Sequence, residues 1–407
     1  MPQTYCVIGS GVAAVNAAKA IRDQDQDGKI ILFGSEPALP YNRIKLSKEL
    51  FSDLTSSKVL LKKEKWYEKN SIEIVNKKIT RIEPNSSMIV TADGATVEYD
   101  KLLICTGAKN RKLPIEGVDL PGVYTIRERQ EAEDFKAFIV NKENVVNVGG
   151  GIQGIETAWS LHKAGKKVSI IEAAPRLMAR QLDERTSKLL QQKVEAAGVR
   201  VYVNTGIEKV EGADQVSAVI AGGESIPCDS VIYSIGVIPE LELVSGSDIQ
   251  TNRGIIVNER METSVQGIYA AGDVTELNGV VEGLWGRAMD QGKVAGHNMA
   301  SQTPVDYQKA TPITVLNAFN LELFSIGMVD ESQCDATITE ESDEHPYTRV
   351  FIKENKLVGV IAHEGVAESL PYKNAIESQV SLMGIDFSQI SIAALLTEVT
   401  ERLTVSL

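Results

Sequence analysis

Three glycines and an acid, Gly149, Gly151, Gly154 and Glu172, restrict this chain more than any other feature of its 407 residues. The apolar run 145–148 ahead of them predicts a buried parallel strand, and a helical pattern begins behind the third glycine. In such a turn the first glycine allows the tight bend, and the second lets a pyrophosphate approach the backbone. The third lets the helix lie close on the strand. The helix N-terminus then faces the anion. A second apolar run, 168–171, ends at Glu172, whose carboxylate is placed to accept hydrogen bonds from a ribose 2′-OH and to repel a 2′-phosphate. The unit therefore reads as a site for NADH rather than NADPH. Arg176 stands just past the acid, where it could contact a 2′-phosphate, hold the diphosphate or simply be solvated.

One such motif is weak evidence, but the chain carries two. It opens with a strand pattern over 5–8, then Gly9, Gly11 and Ala14 in the permitted GxGxxA form, a helix to about residue 22, a strand over 29–33, and Glu36. Two complete units of strand, turn, helix, strand and acid are hard to obtain by chance. Two dinucleotides are implied.

The length allows two or three domains with proper cores, and a hydrophobic share of 43% is ordinary for a globular protein. No run approaches a transmembrane helix and the first ten residues enter a strand at once, so a cytoplasmic location without a membrane anchor is expected. A net charge of −13 argues against nucleic acid or an anionic membrane surface as partner. Cys6, Cys105, Cys228 and Cys334 form no CxxC or CxxxxC pair, as is usual in a reducing compartment, and the first and second read as small core residues. His162, His297, His345 and His363 lack metal-ligand spacing, so no metal site is expected.

After Glu36, the stretch 37–50 crowds two prolines, Tyr41, Arg43, Lys45 and Lys48 into a loop that leads into a helix. It follows the second strand of the first unit, near the carboxyl edge of the sheet where ligands bind in such folds. A hairpin is expected around Asp93-Gly94, and a buried strand over 101–106 stops at Thr106-Gly107. A turn-rich bridge leads to a helix at about 127–141. Within the second unit, a helix over 183–197 stops at Gly198, a strand follows over 199–203, and 231–236 closes the sheet at Gly236. The strand in 267–274 ends at Gly272-Asp273. A carboxylate there sits well for a ribityl or ribose hydroxyl, and a buried acid would need such a partner. Residues 282–300 read as a helix with small residues on one face. From about Thr311 strand runs give way to a helical tail from Lys373, an antiparallel sheet with helices packed on it.

Taken together, GSGVAA, the ILFGSE acid, PYNRIKLSKEL, ICTGA, GGGIQGIE, SIIEAAPRLMARQLDE, YSIGVIPE and YAAGDV with WGRAMDQGKVA resemble the flavoprotein pyridine-nucleotide reductases of the two-dinucleotide-domain, glutathione-reductase-like fold. Among its branches the chain looks most like NADH:rubredoxin oxidoreductases, the flavin portion of nitrite reductase large subunits and ferredoxin reductases. The resemblance implies an α/β chain with two Rossmann-like domains. FAD would lie on 1–109 completed by 236–308, NADH on 110–235, and a C-terminal α+β domain would span 309–407. It puts Arg43 and Lys48 against FAD, with Lys48 at the flavin N5 and O4 edge and Glu156 approaching the same place. Trp285 falls where related ferredoxin reductases place an aromatic beside the isoalloxazine ring, as a wall or as the electron exit. Relatives that work on thiols carry a cysteine in the loop corresponding to 41–50. This chain has Leu46, Ser47, Lys48, Glu49 and Leu50 there, so thiol chemistry has no nucleophile.

The expected chemistry is hydride transfer from NADH to FAD, then single electrons to a small iron–sulfur protein such as rubredoxin or ferredoxin. Lys48 would offset the charge on reduced flavin, and Glu156 would set its position. Two other readings fit the same motifs: a hydrogen-peroxide-forming NADH oxidase, and a redox-sensing NADH-binding interaction protein. The choice of acceptor and the oligomeric state are not written in the linear sequence.

Overall fold

A parallel strand covered on both faces must be apolar nearly throughout, and the first two strands of the chain are. In the computed structural model, which describes residues 2–341, 347–363 and 366–406, Thr4–Ile8 and Lys29–Phe33 pair in parallel with Cys6 opposite Ile31. Ile72–Val75 adds beyond Lys29–Phe33, while Lys101–Ile104 and then Ile268–Ala270 extend the other side, every pairing parallel. Val7, Leu32, Leu103 and Ala270 are wholly buried at its centre.

The helix Val12–Gln24 packs on this sheet, and Trp285–Ala300 lies along that helix backbone to backbone. A Cβ on Gly292 would come within 2.2 Å of the Ala13 carbonyl oxygen, and one on Gly296 within 2.3 Å of that of Ala17, so larger residues would force the helices apart. Beside this core, Met88–Thr91 and Thr96–Glu98 form the hairpin at Asp93-Gly94, with Ile79–Glu83 on its other edge. These elements belong to a compact unit of residues 1–46, 53–111 and 236–309.

The second compact unit comprises residues 47–52, 112–235 and 310–407. Its parallel sheet runs Arg200–Tyr202, Lys167–Ile171, Asn144–Val148, Ser230–Tyr233 and Val123–Tyr124. An antiparallel sheet follows in the order Ile313–Ala318, Leu321–Gly327, Lys356–Ala362, Thr348–Lys353 and Ala336–Glu340. The helices Ser369–Ser378 and Ile392–Ser406 share a core with it through Phe324, Val350, Val360, Ile376 and Leu395. Side-chain contacts tie this sheet to the helices beside the parallel one. Tyr347 donates its hydroxyl to Asp183 at 2.8 Å while Arg349 pairs with the same carboxylate at 3.1 Å. The Phe319 ring, on a backbone with φ 53°, lies 4.8 Å from Trp159.

Local capping moves several expected boundaries. The helix expected over 127–141 is Arg129–Phe138, because Glu128 and Glu131 form a capping box that fixes its start. The helix over 183–197 is Glu184–Ala196, with Asp183 as N-cap accepting the Thr186 N–H. The strand 101–106 ends at Ile104, and Gly236 lies past Ser230–Tyr233 in a turn. The continuous tail from Lys373 is instead two helices. Between them stand Gly384 at φ 86° and Asp386, whose carboxylate accepts the Ser388 N–H, a local bond that competes with the helix ladder. No described helix is long and apolar enough to cross a membrane. Among the described residues no three His, Cys, Asp or Glu side chains are grouped to hold a metal ion; His345 lies outside them.

Candidate functional site

Each glycine-rich turn is closed by the strand next to it. Gly9 has φ 123°, and a Cβ there would sit 2.2 Å from the Cys105 carbonyl oxygen. Gly149 has φ 112°, with the Ser234 carbonyl oxygen 2.5 Å from its would-be Cβ, so both first glycines are obligatory. Gly11 and Gly151 are the N-caps of Val12–Gln24 and Ile152–Lys163 and bring no side-chain cap. A Cβ at either meets nothing within 4 Å, so each turn presents open backbone at the helix N-terminus. That open cradle fits a pyrophosphate.

Two acids flank these turns, held in different ways. Glu36 takes the Tyr41 hydroxyl on Oε2 at 2.7 Å and the Arg43 guanidinium on Oε1 at 2.7 Å. Glu172 is held by backbone: the N–H of Gly150 donates to Oε2 and that of Ala174 to Oε1 at 2.6 Å. Each carboxylate oxygen keeps a second lone pair for a ribose hydroxyl. Arg176 turns its Nη2 to the carbonyls of Ala179 and Leu182, at 3.2 and 3.5 Å, and lines a surface cleft with Glu184 and Lys188.

On the helix Ile152–Lys163, Glu156 is 6% exposed and its Oε1 lies 2.9 Å from Lys48 Nζ. Burial pushes the Glu156 carboxyl up, and the hydrogen bond and charge of Lys48 oppose this without cancelling it. Ser160, four residues on and therefore on the same helical face, donates its hydroxyl toward the carbonyls of Ser47 and Lys48 at 2.9 and 3.0 Å. Sequence reading passed over Ser160; its i+4 offset from Glu156 was the available signal. It also treated Tyr41 as loop composition, whereas that residue holds Glu36.

The remaining candidates lie in the first unit. Thr106 donates to the Glu240 carbonyl at 3.1 Å, and the Gly107 carbonyl accepts the Glu240 N–H at 3.0 Å, which joins Ala108–Asn110 to Val237–Pro239. Gly236 accepts from Arg111 N–H at 2.9 Å. Gly272, at φ 89°, donates its N–H to Gln291 Oε1 at 2.8 Å and so fixes the turn that carries Asp273. Asp273 is half-buried, so the reading of a buried acid is corrected. Ala14 is wholly buried. Trp285 is half-buried at the first position of its helix, and nearby Glu282, its side chain 9% exposed, pairs with Lys309 at 3.0 Å and Arg287 at 3.6 Å.

The cysteines are poorly suited to react. Burial pushes the Cys6 and Cys228 thiols up to about 12, and it also raises Cys105 and Cys334.

Residues 3–295 match the family described as pyridine nucleotide-disulphide oxidoreductase, and residues 312–380 match the rubredoxin NAD+ reductase C-terminal domain. The chain is 31% identical over 390 residues to a Bacillus subtilis nitrite reductase (NAD(P)H), an alignment covering 95% of this chain and 48% of that protein. It is 30% identical over 380 residues to the NADH-rubredoxin oxidoreductase of Clostridium acetobutylicum, covering 93% of this chain and 96% of that one. It spans about half the length of the nitrite reductase and 47% of a second B. subtilis relative, the assimilatory nitrate reductase electron transfer subunit. The crystal structure of a ferredoxin reductase from Rhodopseudomonas palustris superimposes with a TM-score of 0.86 at 26% identity, over 96% of this chain and 100% of that one.

Proposed function

The chain belongs to the pyridine nucleotide-disulphide oxidoreductase family, and on that premise we propose that it oxidises NADH through FAD and passes single electrons to a small iron–sulfur protein such as rubredoxin or ferredoxin. It is an FAD- and NAD(H)-dependent oxidoreductase, and the two cofactors supply the hydride and single-electron chemistry when bound. The observation that carries the choice of acceptor is Lys48 paired with buried Glu156, in a loop without cysteine and a chain whose buried thiols are held protonated. A family member so built has a cation where thiol chemistry would need a nucleophile.

In this reading the FAD-binding part is 1–109 with 236–308, the NADH-binding part is 110–235, and 309–407 is the C-terminal α+β domain. The turn at Gly9, Gly11 and Ala14 receives the FAD pyrophosphate and Glu36 its ribose, while Asp273 takes a ribityl hydroxyl. Thr106, Gly107, Gly236 and Gly272 shape the backbone around them. Gly149, Gly151 and Gly154 receive the NADH pyrophosphate, and Glu172 the adenosine ribose. Arg176, committed to two backbone carbonyls, leaves Glu172 to favour NADH. Arg43 anchors the flavin-side loop through Glu36. Lys48 holds positive charge for the reduced flavin, Glu156 fixes the ammonium, and Trp285 walls the flavin pocket. A cytoplasmic location belongs to the same proposal, in keeping with four free cysteines.

Anaerobic turnover of the yellow holoprotein with NADH, against rubredoxin, ferredoxin and CoA disulfide in parallel with an aerobic dioxygen arm, tests this. Fast reduction of an iron–sulfur protein is expected. Fast reduction of dioxygen alone would favour the oxidase reading, and of the disulfide alone would overturn the argument from the missing cysteine.

A further inference from the structure

Acidic residues outnumber basic ones, 55 to 42, yet the segment 58–69 reverses the balance. It carries Lys58, Lys62, Lys63, Lys65 and Lys69 against Glu64 and Glu68, and all five lysines are exposed. Several exposed lysines elsewhere find acids, as Lys19 does with Asp23, Lys112 with Asp119 and Lys167 with Glu143, while Lys78, Lys163, Lys188 and Lys193 are scattered and, among the described residues, unpaired. None of the five in 58–69 has an ion-pair partner among the described residues. Unpaired like charges in a short stretch repel one another, so ion pairing within the chain does not account for them.

The segment is also held firmly. Val59 and Tyr67 are buried beneath it. At its end, the buried Arg22 donates to the carbonyls of Asn70 and Ser71 at 2.8 and 3.0 Å. At its start, Asn42 N–H bonds the Val59 carbonyl at 2.8 Å and Leu61 N–H bonds the Pro40 carbonyl at 2.9 Å. Those bonds join the lysine segment directly to Pro40–Tyr41–Asn42, the stretch just before Arg43. Within the segment Lys62 Nζ lies 5.5 Å from the centre of the half-buried Trp66 ring. A rigid base thus displays a positive face around an aromatic, joined to the loop whose Tyr41 and Arg43 hold Glu36.

We propose that the exposed lysine segment 58–69 is the docking surface for an acidic iron–sulfur electron carrier. The proposal rests on the electron-transfer reading above and specifies where the carrier lands. A positive patch on a negative protein concentrates attraction on one face, since the rest of the surface repels an acidic partner and turns it toward the lysines. Fixed backbone around the patch spares the ordering cost of docking.

The test uses the FAD-loaded full chain with Lys62→Glu, Lys63→Glu and Lys65→Glu combined, and an acidic rubredoxin as probe. At low salt both the Kd and kcat/KM for rubredoxin are expected to worsen by about tenfold or more, and the gap is expected to close at high salt. NADH-driven flavin reduction in rapid mixing, and turnover with the neutral quinone menadione, should match the native protein. The same charge change made at Lys112, Lys167 and Lys193 should leave rubredoxin binding within about twofold, because only the patch steers. Rubredoxin binding unchanged in the first variant, or an equal loss in the second, would overturn the docking site while leaving the electron-transfer reading intact. Native protein that turns over menadione but neither binds nor reduces any acidic iron–sulfur protein would overturn both.

Discussion

At the third position of the first nucleotide turn, Ala14 buries its methyl group completely, whereas at Gly154 of the second a methyl would stand 1.9 Å from the Gly149 carbonyl oxygen. The second helix therefore rests closer to its own turn than the first does. The flanking acids differ in a matching way. Glu172 is clamped by N–H groups of the turn and of the next loop, and Glu36 by the side chains of Tyr41 and Arg43. One turn is tight and held by backbone; the other is looser and depends on the residues that follow it. Identical spacing in a sequence thus fixes what a turn can hold but not what holds the turn.

The sharpest way to break this comparison is to exchange the third positions. Gly154→Ala should destabilise the protein by about 3 kcal/mol or more, since the methyl meets a carbonyl that cannot retreat. Ala14→Gly should cost only about 1 kcal/mol of helix propensity. Denaturant melts of both variants check this, and equal losses would mean the turns are packed alike. Next in size, Lys48→Met should slow NADH-driven flavin reduction by about 10²-fold with FAD still bound, read in rapid mixing. An unchanged rate would remove the role given to Lys48.

The acids give a smaller, reciprocal test. Glu172→Gln should raise the KM for NADH by about tenfold and leave FAD retention alone. Glu36→Gln should do the reverse, releasing FAD more readily because it also strands Arg43. Smaller again, Ser160→Ala should slow flavin reduction several-fold by loosening the Lys48 backbone, an effect of about 1 kcal/mol, with Ser160→Thr restoring part of the rate.

The smallest effect is in pH. Glu156 has a folded value raised above that of the unfolded chain, so the folded protein binds the extra proton. Its contribution to stability therefore falls as pH rises from the ordinary glutamate range to the raised value, and is flat beyond it. Glu156→Gln should flatten that stretch of the stability curve. In the same window acid frees Lys48 from its partner, so the native flavin-reduction rate should change there and the Lys48→Met rate should not.

Much of this was legible in sequence because it is local. The apolar strands, both glycine turns and the acids that close them follow from spacing within about thirty residues. What stayed hidden depends on tertiary placement. Ser160 reads as an ordinary helix serine until the loop at Ser47 and Lys48 is laid across it, 113 and 112 residues away in the chain. Glu36 reads as a free ribose acid until Arg43 folds back on it. Helix ends moved where side chains, not periodicity, chose the boundary: Glu128 with Glu131 at one start, Asp386 in the break between the last two helices. The lysines of 58–69 were visible throughout, but only the fold shows them unpaired and anchored to Pro40 and Asn42.

The glycine contacts of Gly292 and Gly296 against Ala13 and Ala17 bind the start of the chain to a helix made some 280 residues later. Synthesis from the N-terminus means the strands at Thr4–Ile8 and Lys29–Phe33 emerge without that lid, while residues 112–235 leave the ribosome as one uninterrupted piece. The later-made region is thus the first with all of its parallel strands in hand. The first hundred residues wait, apolar and half-dressed, for a helix made only after residue 284, and chaperone demand should peak in that interval.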